Sequence, residues 1–171
     1  MIFISGIHGV GKSFFCNQVK RLTGIAAYTA SELISSEKNE LFSANKQIKD
    51  IDDNQYYLLR AVKKLNSIDE KFILDGHFCL LNSSGQITRI PIDTFIKLAP
   101  SAIILLTEKP EVIAERRKTR DNICCNIDEI AQFQKEEISY SKEIAKLLSV
   151  ELKISHGADD LNSVVEFMRN I

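Results

Sequence analysis

The chain has 171 residues, 44% of them apolar and 26% charged, with a formal net charge of −1. This is the size and composition of one globular unit, and the near-neutral balance excludes the broad basic field of a DNA-, RNA- or anionic-membrane-binding protein. The four cysteines, Cys16, Cys79, Cys124 and Cys125, show no C-x-x-C spacing. Vicinal Cys124 and Cys125 fit neither a zinc knuckle nor a disulfide framework, so reduced thiols are expected. The opening MIFISG has no basic leader and no run of 18 apolar residues follows, which leads us to expect a cytoplasmic setting.

Taken in chain order, a β-type run at 2–4 ends in glycine and is followed by a predicted helix over 13–22, with Phe15, Val19 and Leu22 on one face. A short strand at 26–28 leads to a helix after Ser31. Asp52 or Asp53 is placed to N-cap a longer helix reaching about 66, which turns Leu58, Val62 and Leu65 inward. Residues 72–74 form a strand ending at Asp75-Gly76. The runs 79–81 and 87–90 then flank a turn at Ser84-Gly85 and predict a small hairpin. Residues 102–106 carry the strongest buried-strand signal. Pro110 suits the first turn of a helix that runs into Arg116, Arg117 and Arg120. A further long helix begins near Asp128, with an expected apolar stripe of Ile127, Ala131, Ile138, Ala145 and Leu148. A last strand spans 150–154, and Asp159 or Asp160 can cap a closing helix containing Leu161, Val164, Val165 and Met168. Strands alternating with helices predict an α/β three-layer sandwich, a parallel sheet covered on both faces.

The run GIHGVGKS at 6–13 meets the pattern G-x-x-x-x-G-K-[ST] through Gly6, Gly11, Lys12 and Ser13, with Gly9 in addition. It lies between a predicted strand and a predicted helix, the context a nucleotide-binding P-loop requires. Glycines let backbone N–H groups approach phosphate, and the helix N-terminus adds partial positive charge. Lys12 would reach the β- and γ-phosphates of ATP and Ser13 would ligate Mg²⁺. The residues expected around the nucleotide are Gly6, His8, Gly9, Val10, Gly11, Lys12, Ser13 and Phe14, His8 through its backbone alone. A second acid near the metal is expected at a neighbouring strand end. Asp75 is the first candidate, although a turn aspartate before Gly76 is its plain alternative; Glu108 is the second, equally well placed as a helix N-terminal charge. Arg116 and Arg120, four apart on one helix face, could stabilise charge on a transferring phosphoryl group, or form a solvated helix end.

Four stretches, FISGIHGVGKS, ILDGHF with NSSGQITRIP, SAIILLTEKPEVIAERRKTRD and QFQKEEISYSKEIAKLLSVELKI, resemble in order and spacing the P-loop nucleoside monophosphate kinases, in particular the archaeal-type adenylate kinases. The resemblance spans nearly the whole chain, with the P-loop its most specific part. It implies one kinase-like domain over 1–171 with a five-stranded parallel sheet in order 2-3-1-4-5, a short lid at about 116–127 and an acceptor-binding segment at about 29–68. It implies ATP and Mg²⁺ as donor and cofactor, with a small-molecule acceptor, a nucleotide, as partner. Lys12, Asp75, Arg116 and Arg120 would be catalytic, and Ser13 and Asp75 would hold the metal. Archaeal-type adenylate kinases are often trimers, so a homo-oligomer stays open.

The chain departs from the pattern at the acceptor. The better-known adenylate kinases hold the AMP phosphate with an arginine on the segment after the second strand and another after the D-G motif. Here residues 28–50 offer Lys38, Lys46 and Lys49 but no arginine, and Asp75-Gly76 is followed by His77-Phe78. Lysine lacks the bidentate fork of arginine. Arg60 and Arg89 are the candidates to substitute, and His77 is either an acceptor-site residue or a turn histidine. A switch or slow ATPase acting through a protein partner, and a kinase of a non-nucleotide metabolite with residues 83–89 as acceptor equipment, are the competing readings.

Overall fold

The computed structural model describes residues 1–42, 51–68, 71–82, 84–122 and 124–171. Lys46, Lys49 and Ser83 lie outside them. The elements in order are β1 (Ile2–Ser5), α1 (Lys12–Thr23), β2 (Ala26–Thr29), α2 (Ala30–Phe42), α3 (Ile51–Leu65), β3 (Phe72–Asp75), β4 (Cys79–Leu81), β5 (Ile87–Arg89), α4 (Ile92–Leu98), β6 (Ala102–Leu106), α5 (Pro110–Asp121), α6 (Ile127–Leu148), β7 (Glu151–Ser155), a 3₁₀ turn (Gly157–Asp160) and α7 (Leu161–Arg169).

The sheet runs β2-β3-β1-β6-β7, all parallel. Numbering only its own strands, this is the order 2-3-1-4-5. The three inner strands are buried along their whole length, which their continuous apolar runs require once helices cover both faces. Helices α1 and α7 pack on each other, while α6 packs along β6 and β7 and reaches the hairpin β4–β5. Because β1, β3 and β6 are parallel, their C-terminal ends share one rim, and the phosphate motif, Asp75 and Glu108 all emerge there.

An aromatic cluster fixes what lies beside that rim. Phe3 of β1, Phe78 after β3, Phe95 of α4 and Tyr140 of α6 meet at centroid distances of 4.8–6.1 Å, mostly edge to face. The Tyr140 hydroxyl donates to the Ile90 carbonyl at 2.6 Å, tying the end of the hairpin to α6. Arg89 completes that tie by bonding Glu136 and Glu143 with its guanidinium over the Tyr140 ring.

Several expectations need correction. The buried stripe of α6 is Ile130, Phe133, Glu137, Tyr140, Ser141, Ile144 and Ala145, whereas Ile127 is 43% exposed and Ala131 faces solvent. The stripe contains a glutamate and a serine, which an apolar-only reading assigns to water, and this shifts the inferred face. Leu22 is exposed at the last turn of α1, whose inward face is Phe15, Cys16 and Val19. Helix α3 starts at Ile51, ahead of its expected cap. Asp160 does not cap α7 with its side chain but accepts the His156 N–H at 2.6 Å, closing the 3₁₀ turn. Helix α4 has no counterpart among the predicted elements; seven residues are too few to show a period. Among the described residues, no helix is long and apolar enough to cross a membrane.

Helices α4 and α6 end on residues in the left-handed region, Ala99 at φ 45° and Ser149 at φ 54°. Only glycine occupies that region without a Cβ penalty. Ala99→Gly and Ser149→Gly should each raise stability by roughly 1 kcal/mol, seen as a rise in Tm of about 2–4 °C. Unchanged or lower melting points would contradict this account of the two caps.

Candidate functional site

The loop between β1 and α1 has the geometry its glycines allow. Gly6, Gly9 and Gly11 all have positive φ, and Gly11 directly precedes α1. At Gly9 the φ of 86° strains any other residue, and a Cβ there would press on the Arg117 side chain at about 3.0 Å. The backbone is buttressed from the opposite side by α5. Arg116 Nη1 donates to the Val10 carbonyl at 2.8 Å, and Arg117 donates twice to the His8 carbonyl at 2.9 and 2.6 Å. Across planar trans peptides, carbonyls held by the arginines turn the N–H groups of Gly9 and Gly11 the other way. The loop is therefore an anion cradle with its carbonyl face already occupied.

Lys12 is buried, and its ammonium donates to the Gly6 carbonyl at 2.7 Å while lying 3.8 Å from Asp75 Oδ1 and 3.5 Å from His77 Nε2. Burial lowers the Lys12 pKa, with Asp75 opposing that shift. Burial raises Asp75, and Lys12 only partly offsets it. Burial, reinforced by the neighbouring ammonium, pushes His77 down to about 3, so the ring is neutral at ordinary pH. Cys16, in the same helix as Lys12, is pushed up to about 12 by burial and is an inert thiol.

Beneath these groups lies Glu137, almost fully buried on α6. Its carboxylate accepts the Ser5 hydroxyl and the backbone N–H groups of Phe78 and Cys79 at 2.9 and 2.7 Å. Ser5 immediately precedes the phosphate loop, and Phe78 follows His77. One side chain therefore ties the roots of the two loops that form the site. Burial raises its pKa and the three donors oppose that shift. Nothing in the α6 pattern beyond a glutamate in phase with apolar residues signals this role.

Two adjoining cavities open from this frame. The first, about 670 Å³, holds His8, Gly9, Gly11, Lys12, Ser13, Phe14 and Asp75, with Arg116 and Arg120 on its far wall. Gly6 and Val10 lie beneath that lining, their carbonyls taken by Lys12 and Arg116. Arg120 is held by Asp121 at 2.7 Å and meets His8 Nε2 at 2.6 Å, so the His8 side chain enters the site as well as its backbone. Glu108 bonds Arg116 at 3.0 Å and is bracketed by both amide atoms of Gln134 rather than facing Lys12.

The second cavity, about 180 Å³, shares Ala30, Ser31, Gly76 and His77 with the first and extends between α2, α3, α4 and the hairpin. Its walls are Phe3, Ile34, Leu58, Phe95 and Leu98, with Asn54, Gln55 and Thr94 as polar members. Arg60 is not there; it pairs with Glu37 at 2.9 Å. Arg89 turns to α6, and of the hairpin only Leu80 and the adjoining Ile90 reach the cavity. Sequence reasoning missed Gln55, Thr94 and Ser31, which carry no motif.

Among the described residues, no group of three or more His, Cys, Asp or Glu side chains is placed to hold a metal ion alone. The exposed Ser13 and buried Asp75 on one cleft instead suit a divalent cation that takes its remaining ligands from phosphate oxygens and water.

The family model described as AAA domain matches residues 5–134. No curated protein matches the sequence. Among solved structures, a shikimate kinase from Bacteroides thetaiotaomicron is 13% identical, covers 99% of this chain and 95% of its own, and superposes with a TM-score of 0.57. A gluconokinase from Sinorhizobium meliloti 1021 gives 20% identity, coverage of 96% and 86%, and a TM-score of 0.55. A sugar kinase from Janibacter sp. HTCC2649 gives 14%, 99% and 91%, and 0.53. At these identities the likeness establishes the P-loop kinase-type fold.

Two measurements check the site's electrostatics. Glu137→Ala strands three buried donors, at about 1–3 kcal/mol for each buried group left unpaired. A fall in Tm of at least roughly 6 °C is expected; a fall of 2 °C or less would show that the donors find water. His77 is protonated in the unfolded chain below about 6.5 but in the folded chain only near 3, so its contribution to stability falls as pH drops through that window. Asp75 and Glu137, with raised pKa values, slope the opposite way but are common to both proteins. From pH 7 to 4 the Tm of His77→Gln should therefore gain steadily on that of the parent as pH falls; a constant difference would place the titration elsewhere.

Proposed function

The chain belongs to the AAA domain family, and on that premise we propose that it is an ATP-dependent phosphotransferase carrying the γ-phosphoryl group of ATP to a small metabolite. The observation that carries this reading is the pair of joined cavities: a cationic cradle and an uncharged pocket meet at His77, within 3.5 Å of Lys12. A switch or simple ATPase has no need of the second cavity.

In this mechanism the loop at 6–13 binds the triphosphate, Lys12 exchanges the Gly6 carbonyl for phosphate oxygens, and Arg116 and Arg120, in the lid at about 116–127, supply positive charge over the migrating group. Mg²⁺, held by Ser13 and Asp75 with the phosphates, would neutralise charge on the β- and γ-oxygens. Of the acceptor-binding segment at about 29–68, Ala30, Ser31, Ile34, Asn54, Gln55 and Leu58 line the acceptor side. A hydroxyl oxygen of the acceptor bonds to the γ-phosphorus as the β–γ bridging bond breaks, ADP leaves, and the hydroxyl proton passes to a carboxylate. Asp75, next to Gly76 of that boundary, is the carboxylate in reach, by an oxygen not engaged by the cation. No protein nucleophile is needed, since positioning and electrostatics carry the reaction.

A nucleoside monophosphate acceptor, as in the adenylate kinases, is the finer alternative. It would bring a dianionic phosphate to a wall where the described residues place no arginine, so a neutral hydroxyl is favoured. The three solved structures above are named as kinases of shikimate, gluconate and sugar, which supports a small-metabolite acceptor.

The test is ADP release from ATP·Mg²⁺ against parallel panels of metabolite alcohols and nucleoside monophosphates. Acceptor-dependent turnover in the alcohol panel is expected, with Lys12→Ala lowering kcat/KM by roughly 10²–10³. Turnover indifferent to any acceptor would support the ATPase reading, and turnover confined to monophosphates would restore the nucleotide one.

A further inference from the structure

Two residues that line the second cavity each carry a side-chain atom buried without a hydrogen-bond partner, Gln55 Oε1 on α3 and His77 Nδ1 after β3. A buried acceptor or ring nitrogen left unpaired costs about 1–3 kcal/mol, and native interiors leave few such atoms unless a ligand satisfies them. The third polar wall residue, Asn54, is already engaged, accepting from Lys38 at 2.5 Å, and Lys38 also lies over the Tyr57 ring. No Lys, Arg, Asp or Glu lines the cavity among the described residues. A charged group entering it would lose hydration without gaining a counter-charge.

The volume of about 180 Å³ lies below the range of about 300–1,000 Å³ typical of drug-sized sites, so one ring fills it. Glutamine oxygen only accepts, and a neutral imidazole nitrogen accepts or donates according to tautomer. A carboxamide or lactam edge, with N–H and C=O side by side, satisfies both.

We propose that this cavity binds the body of the phosphoryl acceptor, and that the acceptor is an uncharged, one-ring alcohol bearing an amide-type edge read by Gln55 and His77. The proposal rests on the phosphotransfer reading only for the fate of the hydroxyl, which points to the shared boundary at Ser31 and Gly76. There its oxygen bonds the γ-phosphorus of ATP, the β–γ bridging bond breaks and the hydroxyl proton is released, so the products are the phosphate monoester, ADP and a proton.

The experiment titrates matched probes into the full chain and reads binding directly by ligand-observed NMR: the 3- and 4-(hydroxymethyl)benzamides against the corresponding hydroxymethylbenzoates. The amides should bind at least tenfold tighter than the carboxylates. Gln55→Met keeps side-chain length and removes the oxygen, and should weaken amide binding about tenfold while ATP binding persists as the check on folding. Ile34→Phe narrows the cavity from α2 and should also abolish the amide preference. Carboxylates binding as well as amides, no measurable amide binding, or binding indifferent to both variants would overturn the proposal. Amide binding without a phosphorylated product would support the cavity assignment and remove only the phosphotransfer reading.

Discussion

The buried carboxylate of Glu137 is the interaction on which the site depends. It reaches both loop roots at once from α6, through Ser5 at the head of the phosphate loop and through the backbone of Phe78 and Cys79 behind His77. A carboxylate in a dry interior is costly, and burial does raise its pKa. Three donors converging on two oxygens offset that cost, in the way that buried polar networks must be satisfied throughout or not formed at all. Position follows from the same bonds. With β1, β3 and α6 tied at one point, Lys12 and His77 are brought to 3.5 Å although 65 residues separate them.

Around that anchor the charge is distributed unevenly, and the unevenness carries chemical meaning. Every arginine near the cleft is engaged: Arg116 with Val10 and Glu108, Arg117 with His8, Arg120 with Asp121 and the His8 ring. These bonds keep Arg117 behind the cradle and Arg116 and Arg120 on the cavity wall, where their charge can act on phosphate without blocking the loop N–H groups. On the other side of His77 the wall is Phe3, Leu58, Phe95 and Leu98, with only uncharged polar groups among them. A neutral His77 is the proper boundary between the two halves, because a charged imidazolium beside Lys12 would repel it and draw anions across.

How much of this was legible in the sequence depended on whether a signal was local. The strands at 2–5, 72–75 and 102–106 were readable because a fully buried parallel strand is a continuous apolar run. The phosphate loop was readable because its glycines, Lys12 and Ser13 are tied by spacing. The register of α6 was not, since Glu137 is buried by partners 58–132 residues away and looks solvent-facing in isolation. Arg60 and Arg89 looked available for the acceptor, yet Glu37 on α2 and Glu136 and Glu143 on α6 hold them. Charge pairing across elements has no periodicity to read. Gln55 was equally silent, a polar residue on an amphipathic helix distinguished only by facing a cavity that α2, α4 and the hairpin complete.

The proton balance of the reaction joins these observations. A phosphate acceptor arrives with its nucleophilic oxygen already ionised, so its site needs cations and no base. A hydroxyl acceptor reverses both requirements, since the oxygen is neutral and must lose a proton as the bond to phosphorus forms. The described acceptor wall carries no cation, and a carboxylate, Asp75, stands in the adjoining cavity next to Gly76, which both cavities share. Lys12, 3.8 Å from that carboxylate, opposes the rise that burial causes. On the proposed reading, the absence of arginine from that wall is no defect in a nucleotide kinase pattern: with Asp75 beside it, the wall suits a neutral alcohol next to the phosphate cradle.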